Sequence, residues 1–405
     1  MNTSDCLPDG TAGRPSGTAA GSPSVMVPDS ESASPSGDAR SSAPDSANDS
    51  ASGSAPAALP APIRTSDITL VFQGAVKAYV TREGDDFVAN IRRTRKVLPG
   101  SRIVVSTWAG AELPPGLPID AVVESPDPGA LAPLKLDEHK ANNVNRQLVT
   151  TRAGLAAVTT PYAVKLRTDS FLEHAGFLDH FQEQRALDGG RERLLASSFF
   201  TLDPALFERL PYHLSDWFQF GPTALLQAYW AAPPMDVKDA RQYERQPHAP
   251  GSTLFERRFR ARWAVEQQLC MPFAQARGYA CPRYLNDVSS EVMADYRRFL
   301  GHEVMLLDPW QIGLRFDKYG WVGASSFQRL NNLMHLDWLL LADPTLAGRE
   351  GAPALRQLIA RRQRHKRLAQ LAFRHSAAFH DLLFDPQRPH HPLRRLAARA
   401  IRRLA

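Results

Sequence analysis

Between residues 67 and 107 two short β-branched runs bracket one amphipathic helix, and few architectures accept that order. Residues 67–72 are apolar and β-branched and run straight into Gln73-Gly74, as expected of a buried strand. Phe87, Ile91, Thr94 and Val97-Leu98 then recur at helical spacing. Arg92, Arg93, Arg95 and Lys96 fill the other face, and Pro99-Gly100 stops the helix. Residues 102–107 read as the second strand, with Trp108 at its carboxyl end, and residues 119–123 as a short third. Strand, helix, strand predicts parallel pairing through right-handed crossovers, hence an α/β fold with a mostly parallel central sheet.

A second unit follows. Residues 126–136 contain three prolines and a glycine and read as a loop over the sheet edge. It leads into Asn142-Asn143-Val144-Asn145-Arg146-Gln147, a polar helix start. Leu148, Val149, Ala153, Leu155 and Ala156 give the helix over 146–157 a broad apolar face, and Thr160-Pro161 ends it. Residues 162–166 are a buried strand terminating in Arg167-Thr168-Asp169-Ser170. In open α/β sheets ligands collect at the carboxyl edge, where strand ends and helix starts converge. Asp169 is therefore the first choice for a catalytic-centre residue.

Downstream the pattern is less regular. Residues 194–202 read as a strand interrupted at Ser197-Ser198, and residues 212–221 break any simple period. Residues 233–252 read as a loop, and 255–271 as a helix with Pro272 just beyond it. Residues 286–291 resemble a turn before a capped helix, with Glu291 as ordinary capping chemistry. Residues 304–307 make a late strand, and helices are expected from 353 onward. Trp310, Phe316, Tyr319 and Trp321 close the compact part.

Composition sets the outer limits. Residues before about Thr65 are dominated by Ser, Ala, Pro, Gly and Asp, which cannot bury enough apolar surface to offset ordering entropy. No early basic patch precedes an apolar run and nothing later is apolar enough to span a bilayer, so a cytoplasmic location is expected. Cys6, Cys270 and Cys281 are too few and too scattered for a disulfide framework or a zinc site. The histidines show no ligand spacing either. Net charge is +6, with an acidic start and a basic end, which suggests a partner with a negative surface. Leu393, Leu396, Ala397, Ala400, Ile401 and Leu404 share one helical face opposite Arg394, Arg395, Arg399, Arg402 and Arg403. That pattern fits a helix lying on an anionic membrane surface, or equally one docked on its own domain. No aromatic-interleaved basic motif supports nucleic acid.

Taken together, Val71-Phe72-Gln73-Gly74, Ser106-Thr107-Trp108, Asp127-Pro128-Gly129, the asparagine cluster 142–147, Lys165-Leu166-Arg167-Thr168-Asp169 and Asp216-Trp217-Phe218-Gln219-Phe220-Gly221 resemble the WavE-type lipopolysaccharide synthesis family, from about residue 67 to about 321. The resemblance implies a glycosyltransferase with the GT-A nucleotide-sugar fold that builds surface polysaccharide. The chain then divides into a low-complexity tail expected to be disordered (1–65), a GT-A-like catalytic domain (66–345) and a helical basic extension (346–405).

Such an enzyme must hold a nucleotide sugar, offset the departing diphosphate and, when it inverts, take a proton from the acceptor hydroxyl. Charge on the phosphates can be offset by Mg or Mn held on a carboxylate, for which Asp169 is the candidate, or by Arg146, Lys165 and Arg167. Many enzymes of this fold carry a second acidic residue where Arg167 stands. Asp169 otherwise contacts sugar or ribose hydroxyls, or forms a salt bridge to Arg167 or Arg146. Gln73 and Gly74 sit where backbone amides can approach the nucleotide, or make a plain tight turn. No dinucleotide fingerprint and no P-loop follows the first strand.

Asn142, Asn143 and Asn145 offer amides to hydroxyls or a base edge, against a capping role. Arg146 at a helix start opposes the helix dipole, which favours a neighbouring anion. Asp216, among aromatics, and Glu266, in an apolar-aromatic turn, are the candidate general bases, since partial burial raises a carboxyl pKa. Glu266 pairing with Arg260 or Arg262 is the alternative. Trp217, Phe218, Phe220, Trp263 and Trp310 either stack on a sugar or base, or belong to the core. The competing functional class is a non-catalytic, membrane-associated assembly protein that binds nucleotide sugar or partner enzymes without turnover.

Overall fold

The computed structural model describes residues 61–76, 87–316, 321–348, 353–373, 377–384 and 391–405. Residues 1–60, most of the expected tail, lie outside these, as does Tyr319. Residues 61–65 are structured: Ile63 is buried and its amide donates to Gln182 Oε1 at 2.8 Å.

Among the described residues nine strands form two sheets. They are β1 (Ile68–Gln73), β2 (Arg102–Trp108), β3 (Ala121–Ser125), β4 (Tyr162–Arg167), β5 (Phe171–Leu172), β6 (Leu194–Ser197), β7 (Phe218–Pro222), β8 (Val304–Leu307) and β9 (Leu314–Arg315). Seven of them make the central sheet in the order β3-β2-β1-β4-β7-β6-β8, and β5 pairs with β9. All neighbours in the large sheet run parallel except β7, which is antiparallel to both β4 and β6. The expected α/β fold with a mostly parallel sheet is the observed one.

Burial explains the order. Every residue of β1 is buried, and such a strand needs a partner on each edge and a layer on each face. β3 alternates between exposed and partly buried positions, with Val122 40% exposed, as suits an edge strand.

Two helices fix the half of the sheet that matters here. α1 (Phe87–Val97) buries Phe87, Asn90, Ile91 and Thr94. α2 (Val144–Ala156) buries Val144, Leu148, Thr151 and Leu155 along one face. Gly154 brings α2 onto the sheet, because a Cβ there would lie 2.4 Å from Val71 Cγ1 and 2.9 Å from Ser106 Cβ. Ser106 Oγ donates to Thr150 O at 2.6 Å, and Gln73 Nε2 to Thr150 Oγ1 at 2.7 Å. Side chains from β1 and β2 thus peg the same turn of α2.

Several expectations need correction. The third strand is displaced to Ala121–Ser125, because Asp120 Oδ2 accepts from the Ile103 amide at 2.7 Å and Arg95 at 2.6 Å, pinning 119–120 as a turn. The aperiodic stretch around Phe218 is a strand, buried between β4 and β6 over its first four residues, Gln219 included. The helix expected over 255–271 is two helices, Leu254–Arg257 and Val265–Gln275. Between them the chain pairs with the loop 126–143: Phe259 bridges Lys135, and the Arg260 amide donates to Leu134 O at 2.9 Å. Pro272 lies inside the second helix, where burial of its neighbours Met271, Phe273 and Ala274 outweighs the lost hydrogen bond. Residues 233–252 include two short helical turns, Val237–Ala240 and Gln242–Glu244, the first capped by Asp236.

Helices Pro353–Phe373, Ala377–Phe384 and Pro392–Leu404 follow. Ala397 and Ile401 of the last are buried against Leu206, Phe207, Leu330, Ala369, Phe373 and Leu383. Its apolar face is docked on its own domain, leaving Leu393 (40%) and Leu396 (56%) exposed. Among the described residues no helix is long and apolar enough to cross a membrane.

Candidate functional site

β1, β2 and β3 step outward in one direction, and β4 lies on the opposite side of β1. The strand order therefore reverses between β1 and β4, and the crevice at their carboxyl ends is where such sheets bind ligands. Gly74 leaves β1 with φ +126, and a Cβ there would stand 3.2 Å from Thr168 Oγ1. Only glycine takes that backbone angle without strain. The Thr168 amide donates to Gln73 O at 3.1 Å, and its hydroxyl to Ala75 O at 2.9 Å. The two strand ends are stitched together, with Gly74 and Thr168 facing across the seam.

On β4 the side chains alternate. Lys165 and Arg167 share one face, and both register opposite β1 and, for Lys165, Gln219 of β7. Arg167 forks onto Asp169, Nε to Oδ1 at 2.8 Å and Nη2 to Oδ2 at 2.6 Å, and both remain partly accessible. Lys165 is fully enclosed. Its ammonium donates to the Asp216 carbonyl and lies 4.9 Å from the centroid of the Trp230 ring. Burial lowers its pKa to about 8, against the opposing charge of Asp216.

Because β7 runs antiparallel to β4, the residues before it return to the same rim. Asp216 is buried there and accepts from Gln147 Nε2 of α2. Burial raises its pKa above the ordinary carboxylate value, while Lys165 pulls it back and the charge of Glu266 adds to the rise. Glu266 lies 3.1 Å from His213 Nε2. Burial pushes the Glu266 carboxyl up, but the His213 charge and hydrogen bond outweigh it and leave it below its usual value. Conversely, burial disfavours the His213 cation, and Glu266 more than compensates. His213 Nδ1 is 2.8 Å from Phe200 O, so its ring is held from both sides, by that carbonyl and by Glu266.

Phe200 has φ 65, a left-handed conformation that costs a bulky residue about 1–3 kcal/mol and clusters at functional sites. It packs 4.6 Å from Trp217, whose ring also lies 5.8 Å from the Arg167 guanidinium. Asp169, Arg167, Lys165, Asp216 and Glu266 thus form one charged group along a single rim.

The other candidates are placed differently. Gln73 turns its side chain into α2, and Gly74 alone of the two borders the seam. Asn142 Oδ1 caps α2 by accepting from the Val144 amide at 3.0 Å. Asn145 exchanges two 2.8 Å hydrogen bonds with the backbone of Met235. Arg146 forks onto Asp127 at 2.8 and 2.6 Å and reaches Asn143 Oδ1 at 3.0 Å, so its anion is a carboxylate of the loop after β3. Trp217, Phe218, Phe220 and Trp263 are buried, whereas Trp310 is 54% exposed. Gln147 and His213 are the members that sequence reasoning left out. Both lie inside the resembling motifs or beside them, but only the fold shows what each touches.

For a divalent cation the donor set fits poorly. Both Asp169 oxygens accept from Arg167, and among the described residues no group of three or more His, Cys, Asp or Glu is arranged around a common centre. Hard cations need several oxygen ligands, and a guanidinium already forked on the Asp169 carboxylate opposes them. The set suits an oxyanion better, since the Arg167 guanidinium is a planar fork of donors.

Comparison with known proteins adds the family. No curated protein matches the sequence. Among solved structures, a 2-C-methyl-D-erythritol 4-phosphate cytidylyltransferase from Francisella tularensis covers 40% of this chain and 76% of its own, at 9% identity and TM-score 0.25. HddC from Yersinia pseudotuberculosis covers 40% and 78%, at 10% identity and TM-score 0.24. Likenesses this distant assign no activity. The model for WavE lipopolysaccharide synthesis matches residues 68–373, from the first residue of β1 through the last of the helix Pro353–Phe373, so the span that builds the crevice is the span the family shares and this chain belongs to the WavE lipopolysaccharide synthesis family.

Proposed function

We propose that the chain is a glycosyltransferase of GT-A-like architecture, moving a sugar from a nucleotide sugar onto a lipopolysaccharide core or another surface-glycan acceptor. The observation that carries this reading is the union, at the sheet's reversal point, of a forked arginine on Asp169 and a buried carboxyl of raised pKa, Asp216. In the reaction the acceptor oxygen attacks the anomeric carbon, the bond from that carbon to the diphosphate breaks, and the acceptor proton goes to a base. Asp216 suits the base, since burial moves it toward the useful range. Glu266, paired with His213, suits the role of holding that wall in place. Arg167 swings from Asp169 to the departing diphosphate, and Asp169 turns to sugar or ribose hydroxyls. Lys165 is enclosed, so it acts through Asp216 and on no ligand directly.

A second reading has its own support. With both Asp169 oxygens engaged by Arg167, the crevice would also serve an assembly protein that binds nucleotide sugar without turnover. Offering the purified protein a panel of nucleotide sugars and deacylated core oligosaccharides, with and without manganese, separates the two. Transfer product by mass spectrometry, lost in Asp169→Ala, supports the transferase; donor binding with neither transfer nor hydrolysis supports the assembly protein, and full transfer by Asp169→Ala removes Asp169 from the mechanism. Attachment to the inner membrane's cytoplasmic surface would rest on the outward arginines of Pro392–Leu404 with Leu393 and Leu396. Unchanged binding to anionic liposomes after Leu393→Ser and Leu396→Ser with Arg394→Gln and Arg395→Gln would exclude that surface.

A further inference from the structure

Beside the crevice lies a cavity of about 330 Å³ that none of the residues discussed above fills, within the range of small-molecule sites. It is built on the two-stranded sheet. β5 begins two residues after Asp169, and β9 pairs with it through Phe171–Arg315 and Leu172–Leu314. The wall toward the crevice is shared: Phe316 lines the cavity and packs its ring 4.6 Å from Trp217, the neighbour of Asp216. The opposite wall is Trp310, the most exposed tryptophan described, seated edge-on to buried Phe199 at 5.9 Å. Glu173 and Arg315 stand 3.5 Å apart at the mouth, each 46% exposed. Gly313 at the base has φ +82, and a Cβ there would meet His174 O at 2.3 Å, so the base of the cavity is backbone packed on backbone.

An open indole held rigid by a buried ring, with a carboxylate and a guanidinium at its edge, is the chemistry that receives a saccharide: the apolar face of the ring stacks, and the hydroxyls take donors and acceptors. The geometry points to this cavity as the seat of the acceptor glycan, with Trp310 as its platform and Glu173 and Arg315 as its polar rim. The inference rests on the transferase reading for the word acceptor, and on the cavity alone for the word saccharide.

The test uses the full chain and deacylated core oligosaccharides from rough-type lipopolysaccharides, titrated by calorimetry without nucleotide. Trp310→Ala should weaken oligosaccharide binding at least tenfold and Trp310→Phe should restore most of it, while nucleotide-sugar binding by both variants stays within twofold of wild type. Trp310 is exposed, so neither change threatens the fold. Wild-type protein that binds none of the oligosaccharides, or Trp310→Ala that binds them as wild type does, overturns the proposal. Equal weakening of nucleotide-sugar binding overturns it too, because the cavity would then belong to the donor. Trp310-dependent saccharide binding by a protein that takes no nucleotide sugar would uphold the saccharide seat and fail the transferase reading alone.

Discussion

Replacing Lys165 by methionine removes the buried charge while keeping most of its aliphatic volume, and the structure sets what should follow. Lys165 has no exposed surface, and burial lowers its ammonium from 10.5 to about 8 with Asp216 opposing the fall. Holding the cation in the fold rather than in the unfolded chain therefore costs roughly 3 kcal/mol at neutral pH. The unfolded chain binds this proton more tightly than the folded chain. The penalty is thus complete below about pH 8 and is relieved as pH rises toward 10.5. Wild-type stability minus that of Lys165→Met should therefore rise by about 2.5 kcal/mol from pH 7 to pH 10. Urea denaturation of both proteins at the two pH values, followed by tryptophan fluorescence, measures the difference. A flat or falling difference would show that Lys165 is not the enclosed, charged group described here.

Two further outcomes follow from the same rim. Gly154→Ala should destabilise the fold by about 1–2 kcal/mol, because overpacking Val71 and Ser106 outweighs the gain of about 1 kcal/mol in helix propensity; a raised melting temperature would contradict the close helix–sheet contact. Asp216→Asn keeps an acceptor for Gln147 but loses the base, so transfer should fall on the order of 10²–10⁴-fold with donor binding retained. In the wild type the same carboxyl predicts a rate that climbs as pH rises through its raised pKa, and unaltered turnover in the variant would move the base elsewhere.

Much of this site is legible in the amino-acid sequence. Ile68–Gln73 and Tyr162–Arg167 are largely apolar because both faces of a central parallel strand are covered, so their carboxyl ends, with Gly74 and Asp169, can be read directly. The strand Phe218–Pro222 cannot, since three alternating residues before Gly221-Pro222 are too short a signal, and nothing local shows that the segment runs reversed between two others. That gap hides why Asp216 matters: only antiparallel pairing with β4 returns it to the rim beside Lys165. Arg146 shows the converse. An arginine at a helix start does seek an anion, and the anion is Asp127, nineteen positions earlier in the chain, a pairing that no local pattern encodes. The basic C-terminal helix likewise has an apolar face, but Ala397 and Ile401 bury it on Phe373 and Leu383 of their own domain, and amphipathicity alone does not say which surface a helix meets.

The most direct measurement of the account is calorimetric titration of a panel of nucleoside diphosphates and their sugar conjugates into wild-type protein and Arg167→Gln. If the crevice between the ends of β1 and β4 grips a diphosphate through Arg167, at least one nucleotide binds the wild type and binds the variant at least tenfold more weakly, ~1.4 kcal/mol. No nucleotide binding to the wild type, or equal affinity in the variant, would contradict it.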